Sequence, residues 1–356
     1  MRAIVVTPHK EDSLRLVDTK EPERAASAVL AEVLHVGICG TDREIVDGKY
    51  GWAPAGREDL VIGHESLARV LKAPRGAAVR RGDLIVGIVR RPDPVPCACC
   101  AIGEWDMCRN GEYTEHGIKQ CDGFAAERIC VEAAFVIRTD PALGVAGVLT
   151  EPASIVAKAW EEVDRVGPRF AAWSPRRVLI TGAGPVGLLA ALLARQRGFD
   201  VHVLDHAVDG PKPGLVRDLG AHFHGPDVDA IDDLAPDIVI ECTGANAVVL
   251  RAVKALGPNG VLCLAGVSSG GHTINLDVGG IDRSLVLENQ LVLGSVNANR
   301  RHYQRAVDAL SRANRSWLLR IISRRVPMER WREAFEKRPG DVKVVIDFPA
   351  AASTHS

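Results

Sequence analysis

The chain has 356 residues, 25% of them charged, with a formal net charge of -1. That balance excludes a basic footprint for nucleic acid or for an anionic membrane surface. The length exceeds what one core comfortably fills, and a hydrophobic fraction of 47% supports ordinary globular cores, so two domains are expected.

At the N-terminus, "MRAIVVTPHK" reads as a first strand, its apolar run being too short for a signal-peptide core. No run approaches the roughly 18 apolar residues of a membrane span, and a cytoplasmic protein is expected. From Met1 to about Pro152, short apolar runs such as "AVLAEVLHVGI", "SLARVLKA" and "DLIVGIV" alternate with Gly and Pro, the texture of a β-rich region.

Within that region Cys39 stands in "GICGTDREI", and His64 and Glu65 stand together in "VIGHES". Thiolate and imidazole suit zinc, and a carboxylate beside them can ligate the ion or orient its water. Glu151 in "LTEPAS" is a third candidate ligand. Three protein ligands leave a fourth position open, which is the catalytic arrangement. Taken singly, Cys39 also reads as a small buried hydrophobe, His64 as a turn histidine and Glu151 as a helix N-terminal acid.

Nine cysteines is an odd number, and four crowd into "DPVPCACCAIGEWDMC". Without an export signal, such a cluster favours metal over disulfides. Cys97, Cys100 and Cys108 are spaced to tie a loop around a structural zinc, but closure needs a fourth ligand. Asp93 or Cys99 is a candidate for it, and an empty lobe is the alternative.

After the helix expected in "TEPASIVAKAWEEV", the chain alternates strand and helix, which argues a parallel sheet covered on both faces. "VLITGAGPVG" places Gly182, Gly184 and Gly187 in G-x-G-x-x-G spacing between a β-branched run and an apolar helix. In a Rossmann unit these glycines permit the turn, the approach of a pyrophosphate and close helix–strand packing. Asp205 ends the next strand, "VHVLD", suited to accept hydrogen bonds from ribose hydroxyls and to repel a 2′-phosphate. His206 and Ala207 follow with no arginine, which favours NAD over NADP. "DIVIECTG" and "GVLCLAGV" read as further buried strands, "HYQRAVDALSRA" and "WREAFEKR" as late helices, "VKVVIDF" as a final strand and "AASTHS" as a polar tail.

With "GICGTD", "GHE", the cysteine lobe and "GAGPVG" in that order, the chain resembles the zinc-dependent medium-chain dehydrogenase/reductase family over nearly its whole length. "GEYTEHGIKQCDGFAAE", "LTEPASIVAKAWEEV" and "LVLGSVNANRRHYQRAV" narrow the resemblance to the glucose 1-dehydrogenase branch best known from archaea. It implies an α/β fold with a GroES-like β-rich catalytic domain (1–153 and 298–356) and a Rossmann domain with a doubly wound parallel sheet (154–297). It also implies a catalytic zinc held by Cys39, His64, Glu65 and Glu151, one glutamate exchanging with water, and Thr41 relaying the substrate proton. Glu115, His116 and Asn297 are expected around sugar hydroxyls, with Asn297 also touching the nicotinamide. Pro185, Val186, His206, Thr243 and Gly244 join Gly182, Gly184, Gly187 and Asp205 around the dinucleotide. The family's lobe has a cysteine where Pro94 stands here, which puts the structural zinc in question.

The activity implied is hydride transfer from C1 of a glucose-like aldose to NAD(P), with a homodimer or homotetramer paired through "LVLGSV". A zinc dehydrogenase acting on a secondary alcohol of a sugar or cyclitol is one alternative; a non-catalytic dinucleotide-binding protein is another.

Overall fold

The structure is a computed structural model describing residues 1–226, 231, 233–268 and 277–349. The tail "AASTHS" lies outside the described residues. The chain divides into two compact units: Met1–Glu151 with Ala298–Ser356, and Pro152–Asn297.

The first unit is built on a seven-stranded sheet centred on the long strand Ala28–Ile38. That strand pairs antiparallel with Glu65–Lys72 on one side and with the C-terminal strand Lys343–Asp347 on the other. Val29, Ala31, Val33 and Val36 from it join Ile62, Val70, Ile85, Val344 and Ile346 in one buried core. The valines and isoleucines among them are β-branched and suit a pleated, half-buried surface. The pairing matters for the site, because Gly37 lies opposite Glu65 while Val344 lies opposite Ile38. Three distant segments thus converge at one end of the sheet. Arg90–Arg91, Thr114–His116 and Gln120–Cys121 form a small separate sheet.

In the second unit six parallel strands are described, in the spatial order His222–His224, Asp200–Leu204, Arg177–Thr181, Ile238–Glu241, Val261–Leu264, Leu291–Gly294. By chain order that is 3-2-1-4-5-6, the arrangement of a dinucleotide-binding sheet. The expected α/β fold is borne out.

Two expectations need correction. "WREAFEKR" is not an α-helix: Met328–Phe335 is 3-10 structure broken at Arg330. The stretch Pro141–Val166 is long and apolar enough to span a membrane by length and composition. It is broken at Gly144, and 78% of its apolar window is buried within the fold, so it is accounted for as a core element.

Candidate active site

Strand Ala28–Ile38 delivers Cys39 to the N-cap of helix Gly40–Val46. The cap is reciprocal: the Cys39 thiol accepts the amide of Asp42, and the Cys39 amide donates to Asp42 Oδ2 at 2.8 Å. Such a capping box satisfies two otherwise orphaned amides and fixes the chain's entry into the helix. It also fixes the carboxylate of Asp42, which is fully buried, with Oδ1 3.2 Å from His64 Nδ1. With Nδ1 facing Asp42, Nε2 is the ring nitrogen left for a metal, the orientation a carboxylate–histidine–metal triad requires. Burial opposes charge on His64, yet Asp42 and the neighbouring thiol raise its pKa well above the ordinary value.

Ligand atoms of Cys39, His64 and Glu65 all lie within 4.8 Å of one another. Glu65 is held from behind by Lys343, whose Nζ donates to Oε1 at 2.5 Å and Oε2 at 2.6 Å, and also to the carbonyl of Ile38 at 3.3 Å. Both side chains are at least 98% buried. Gly37 makes room for this arrangement, since a Cβ there would sit 2.1 Å from Glu65 Oε2. Glu151, at the start of helix Thr150–Val166, falls outside the tight group but is buried beside it. Burial, with repulsion from Glu65, pushes its pKa up to about 7 against the pull of His64 and Lys343. Thiol, imidazole and carboxylates gathered in a buried corner are a donor set that fits zinc. Thr41 lies half-buried in the first turn of the same helix.

The sugar-contact expectations divide. Glu115 is buried, its Oε1 accepting from Arg90 Nε and Nη2, both at 3.0 Å. His116 has both ring nitrogens engaged, Nδ1 with the carbonyl of Asp122 at 2.5 Å and Nε2 with Arg91 Nη2 at 2.8 Å. Burial and the Arg91 charge push its pKa down to about 3. His116 is therefore a neutral structural pivot, and neither nitrogen is left to meet a sugar hydroxyl. Asn297 adopts left-handed backbone, φ 62°, a conformation that asparagine tolerates better than most side chains and that recurs at functional sites.

In the cysteine lobe, sulfurs of Cys97, Cys100 and Cys108 lie within 4.8 Å of one another. Neither proposed fourth ligand falls within that group: Cys99 lies outside it, and so does Asp93, whose Oδ1 accepts the amide of Val95 at 2.8 Å while its Oδ2 is buried without a hydrogen-bond partner. The Arg109 amide, followed by the Cys100 amide, lowers the pKa of Cys97 to about 6, while burial raises that of Cys100 to about 11.

The glycine turn follows its sequence pattern closely. Gly182 has φ 89°, and a Cβ on Gly187 would lie 1.7 Å from the Gly182 carbonyl oxygen, so only glycine permits this helix–strand approach. Gly184 caps helix Pro185–Gln196, with Pro185 and Val186 in its first turn, and space around its missing Cβ is open. Asp205 Oδ2 accepts the amide of Ala183 at 2.6 Å and Oδ1 that of Ala207 at 2.8 Å, which ties the acid to the turn. His206 beside it is exposed.

Two residues here escaped sequence reasoning. Lys212 pairs with Asp205 at 3.0 Å and partly offsets its charge. Glu241, fully buried, accepts from the Thr181 hydroxyl, from the amide and hydroxyl of Thr243, and from the amide of Gly244, fixing the loop that carries both candidates. An acid ending the otherwise apolar strand "IVIE" was the available signal.

A family model described as "Glucose dehydrogenase C-terminus" matches residues 144–348, and one described as "Alcohol dehydrogenase GroES-like domain" matches 25–141. The chain is 37% identical to a glucose 1-dehydrogenase of Methanocella arvoryzae over 98% of its own length and 100% of the relative's. It is 39% identical to a glucose 1-dehydrogenase of Thermoproteus tenax over 97% and 99%. Among solved structures, Haloferax mediterranei glucose dehydrogenase in complex with NADP, Zn and gluconolactone matches with TM-score 0.91 and 28% identity, covering 99% of this chain and 100% of that one. A buried thiol–imidazole–carboxylate corner, a dinucleotide turn and relatives matched from end to end converge: the chain belongs to the zinc-dependent medium-chain dehydrogenase/reductase family, in its glucose 1-dehydrogenase branch.

Proposed function

We propose that this protein is a zinc-dependent NAD(P) dehydrogenase that oxidises C1 of glucose or a closely related aldose to the lactone. The observation that carries the reading is the Cys39–His64–Glu65 corner braced by Asp42 and Lys343, in a chain aligned over 97% of its length with glucose 1-dehydrogenases. A mere dinucleotide binder has no need of such a corner.

Cys39 and His64 would hold the ion, with Glu65 and Glu151 as carboxylates able to approach it. Bound there, zinc supplies Lewis acidity toward the reacting hydroxyl. Asp42 keeps His64 in its ligating tautomer, and Lys343 limits how far Glu65 can move toward the ion. Thr41 gives the substrate proton a hydrogen-bonded exit. Glu115, pinned by Arg90, and Asn297 would meet sugar hydroxyls, and a site built on such bonds discriminates strongly against analogues lacking them.

Gly182, Gly184, Pro185, Val186 and Gly187 would cradle the pyrophosphate at a helix N-terminus, with Thr243, Gly244 and His206 beside the cofactor. Asp205 supports NAD, while Lys212 leaves room for NADP. The cysteine lobe offers three thiols and, without a fourth ligand, is read as a weak or vacant structural site. We place the enzyme in the cytoplasm as a homodimer or homotetramer. Strand Leu291–Gly294 forms an end of the described sheet, and Val292 on it and Val296 just beyond are exposed apolar side chains suited to pairing with a second copy.

The test is turnover of zinc-loaded protein on D-glucose and on sorbitol, each with NAD and NADP, in weakly buffered solution. The reading expects turnover on glucose with acid release as the lactone opens. Turnover on sorbitol alone would overturn it.

A further inference from the structure

Away from the glycine turn, the sheet of the second unit carries a cluster that the reaction does not use. Strand Asp200–Leu204 and the end strand His222–His224 run parallel, with His202 opposite His222 and Leu204 opposite His224. Side chains alternate along a strand, so Asp200, His202, His222 and His224 share one face of the sheet. "DVH" and "HFH" are each a ligand-type residue, an apolar residue and a histidine, so the pleat stacks the pairs side by side.

We propose that Asp200, His202 and His222 form a second metal site, for a divalent ion of borderline softness such as zinc, on this face of the sheet at its His222–His224 end. Ligand atoms of the three residues lie within 4.8 Å of one another. His202 Nε2 is 3.3 Å from Asp200 Oδ2, and His222 Nε2 is 3.3 Å from Asp200 Oδ1. Ligands about 2.0–2.1 Å from a tetrahedral zinc stand roughly 3.3 Å apart, the distance that separates each imidazole from its own carboxylate oxygen of Asp200. Two imidazoles and a carboxylate suit zinc and its neighbours rather than magnesium or calcium.

The next layer supports the same reading. His202 Nδ1 lies 2.8 Å from His224 Nε2, and the rings stack with centroids 5.1 Å apart. A ligating histidine needs a partner for its second nitrogen, and His224 provides one. His222 and Asp200 are open to solvent, giving an ion a way in. The opposing influence is Arg177, whose Nε is 3.8 Å from Asp200 Oδ2 but whose Nη1 is anchored on the carbonyl of Leu234. An ion here would clamp the end strand to its neighbour, one residue from Asp205, whose amide donates to the His224 carbonyl at 3.1 Å.

The test is equilibrium dialysis against graded free Zn2+, with bound ions counted by mass spectrometry, on wild type, His222→Gln, Asp200→Asn and Cys39→Ala. Wild type is expected to bind one more ion per chain than His222→Gln or Asp200→Asn, and Cys39→Ala is expected to keep that ion while losing the one in the corner. His224→Gln should keep the site but bind about 10–100-fold more weakly. Unchanged glucose turnover in His222→Gln would show that the variant folds. Equal ion counts in wild type and both face variants, or loss of the extra ion with Cys39→Ala, would overturn the proposal whatever the fate of the catalytic assignment.

Discussion

Two groups of metal-type ligands sit in the same unit, and they are built differently. The Cys39–His64–Glu65 corner draws on separate strand ends, and each of Cys39, His64 and Glu65 has a partner that fixes it: the Asp42 amide for the thiol, the Asp42 carboxylate for the imidazole, Lys343 for the carboxylate. The cysteine lobe gathers Cys97, Cys100 and Cys108 from twelve residues of chain, with Cys97 and Cys108 only partly buried and Asp93 Oδ1 turned to a backbone amide. Ligand types alone do not separate a working centre from a relic. The layer behind the ligands does, because it sets tautomer, orientation and charge balance.

Substitutions can break or sharpen that contrast. The largest effect is expected from Cys39→Ala: corner zinc is lost and kcat on glucose falls by about a thousandfold or more, as losing several kcal/mol of Lewis-acid stabilisation demands. Metal analysis beside steady-state kinetics checks this. Next, Lys343→Met leaves Glu65 buried without its counter-charge and should cost about 3–5 kcal/mol in denaturant unfolding; a Glu65→Gln/Lys343→Met double variant should recover part of the loss. Asp42→Ala should weaken zinc by about 10–100-fold while the circular dichroism stays native, read by competition with a chelator. Asp205→Ala should raise KM for NAD and improve use of NADP, with Lys212 left to face the added phosphate. Smallest is Cys97→Ser, expected to change kcat less than about twofold; a large loss would mean the lobe is occupied and matters to the fold.

Much of this was legible in the sequence because the relevant pattern was local. The glycine turn lies within six residues, and the β-branched runs mark their strands. "GICGTD" and "GHE" hold the three side chains that the fold brings together in the corner. What stayed hidden is long-range pairing. Lys343 meets Glu65 across 278 residues, and nothing near either residue signals the other; a lysine opening the apolar strand "KVVID" was the one hint. Asp42 was in view as part of "GTD", but its service to His64 depends on a cap and a sheet register. Arg91 carries no local sign that it would engage His116 across 25 residues and so occupy that ring's second nitrogen. The helix expected in "WREAFEKR" is 3-10 and not α, because Met328–Phe335 breaks at Arg330 into tighter turns packed by Met328 and Trp331.

The most direct measurement is an anomalous difference map at the zinc absorption edge, from crystals of protein grown with stoichiometric zinc. The account predicts a peak within bonding distance of Cys39 Sγ and His64 Nε2, about 2.3 Å and 2.0–2.1 Å respectively. Ordered Cys39 and His64 side chains with no peak between them, in protein that still oxidises glucose, would contradict it.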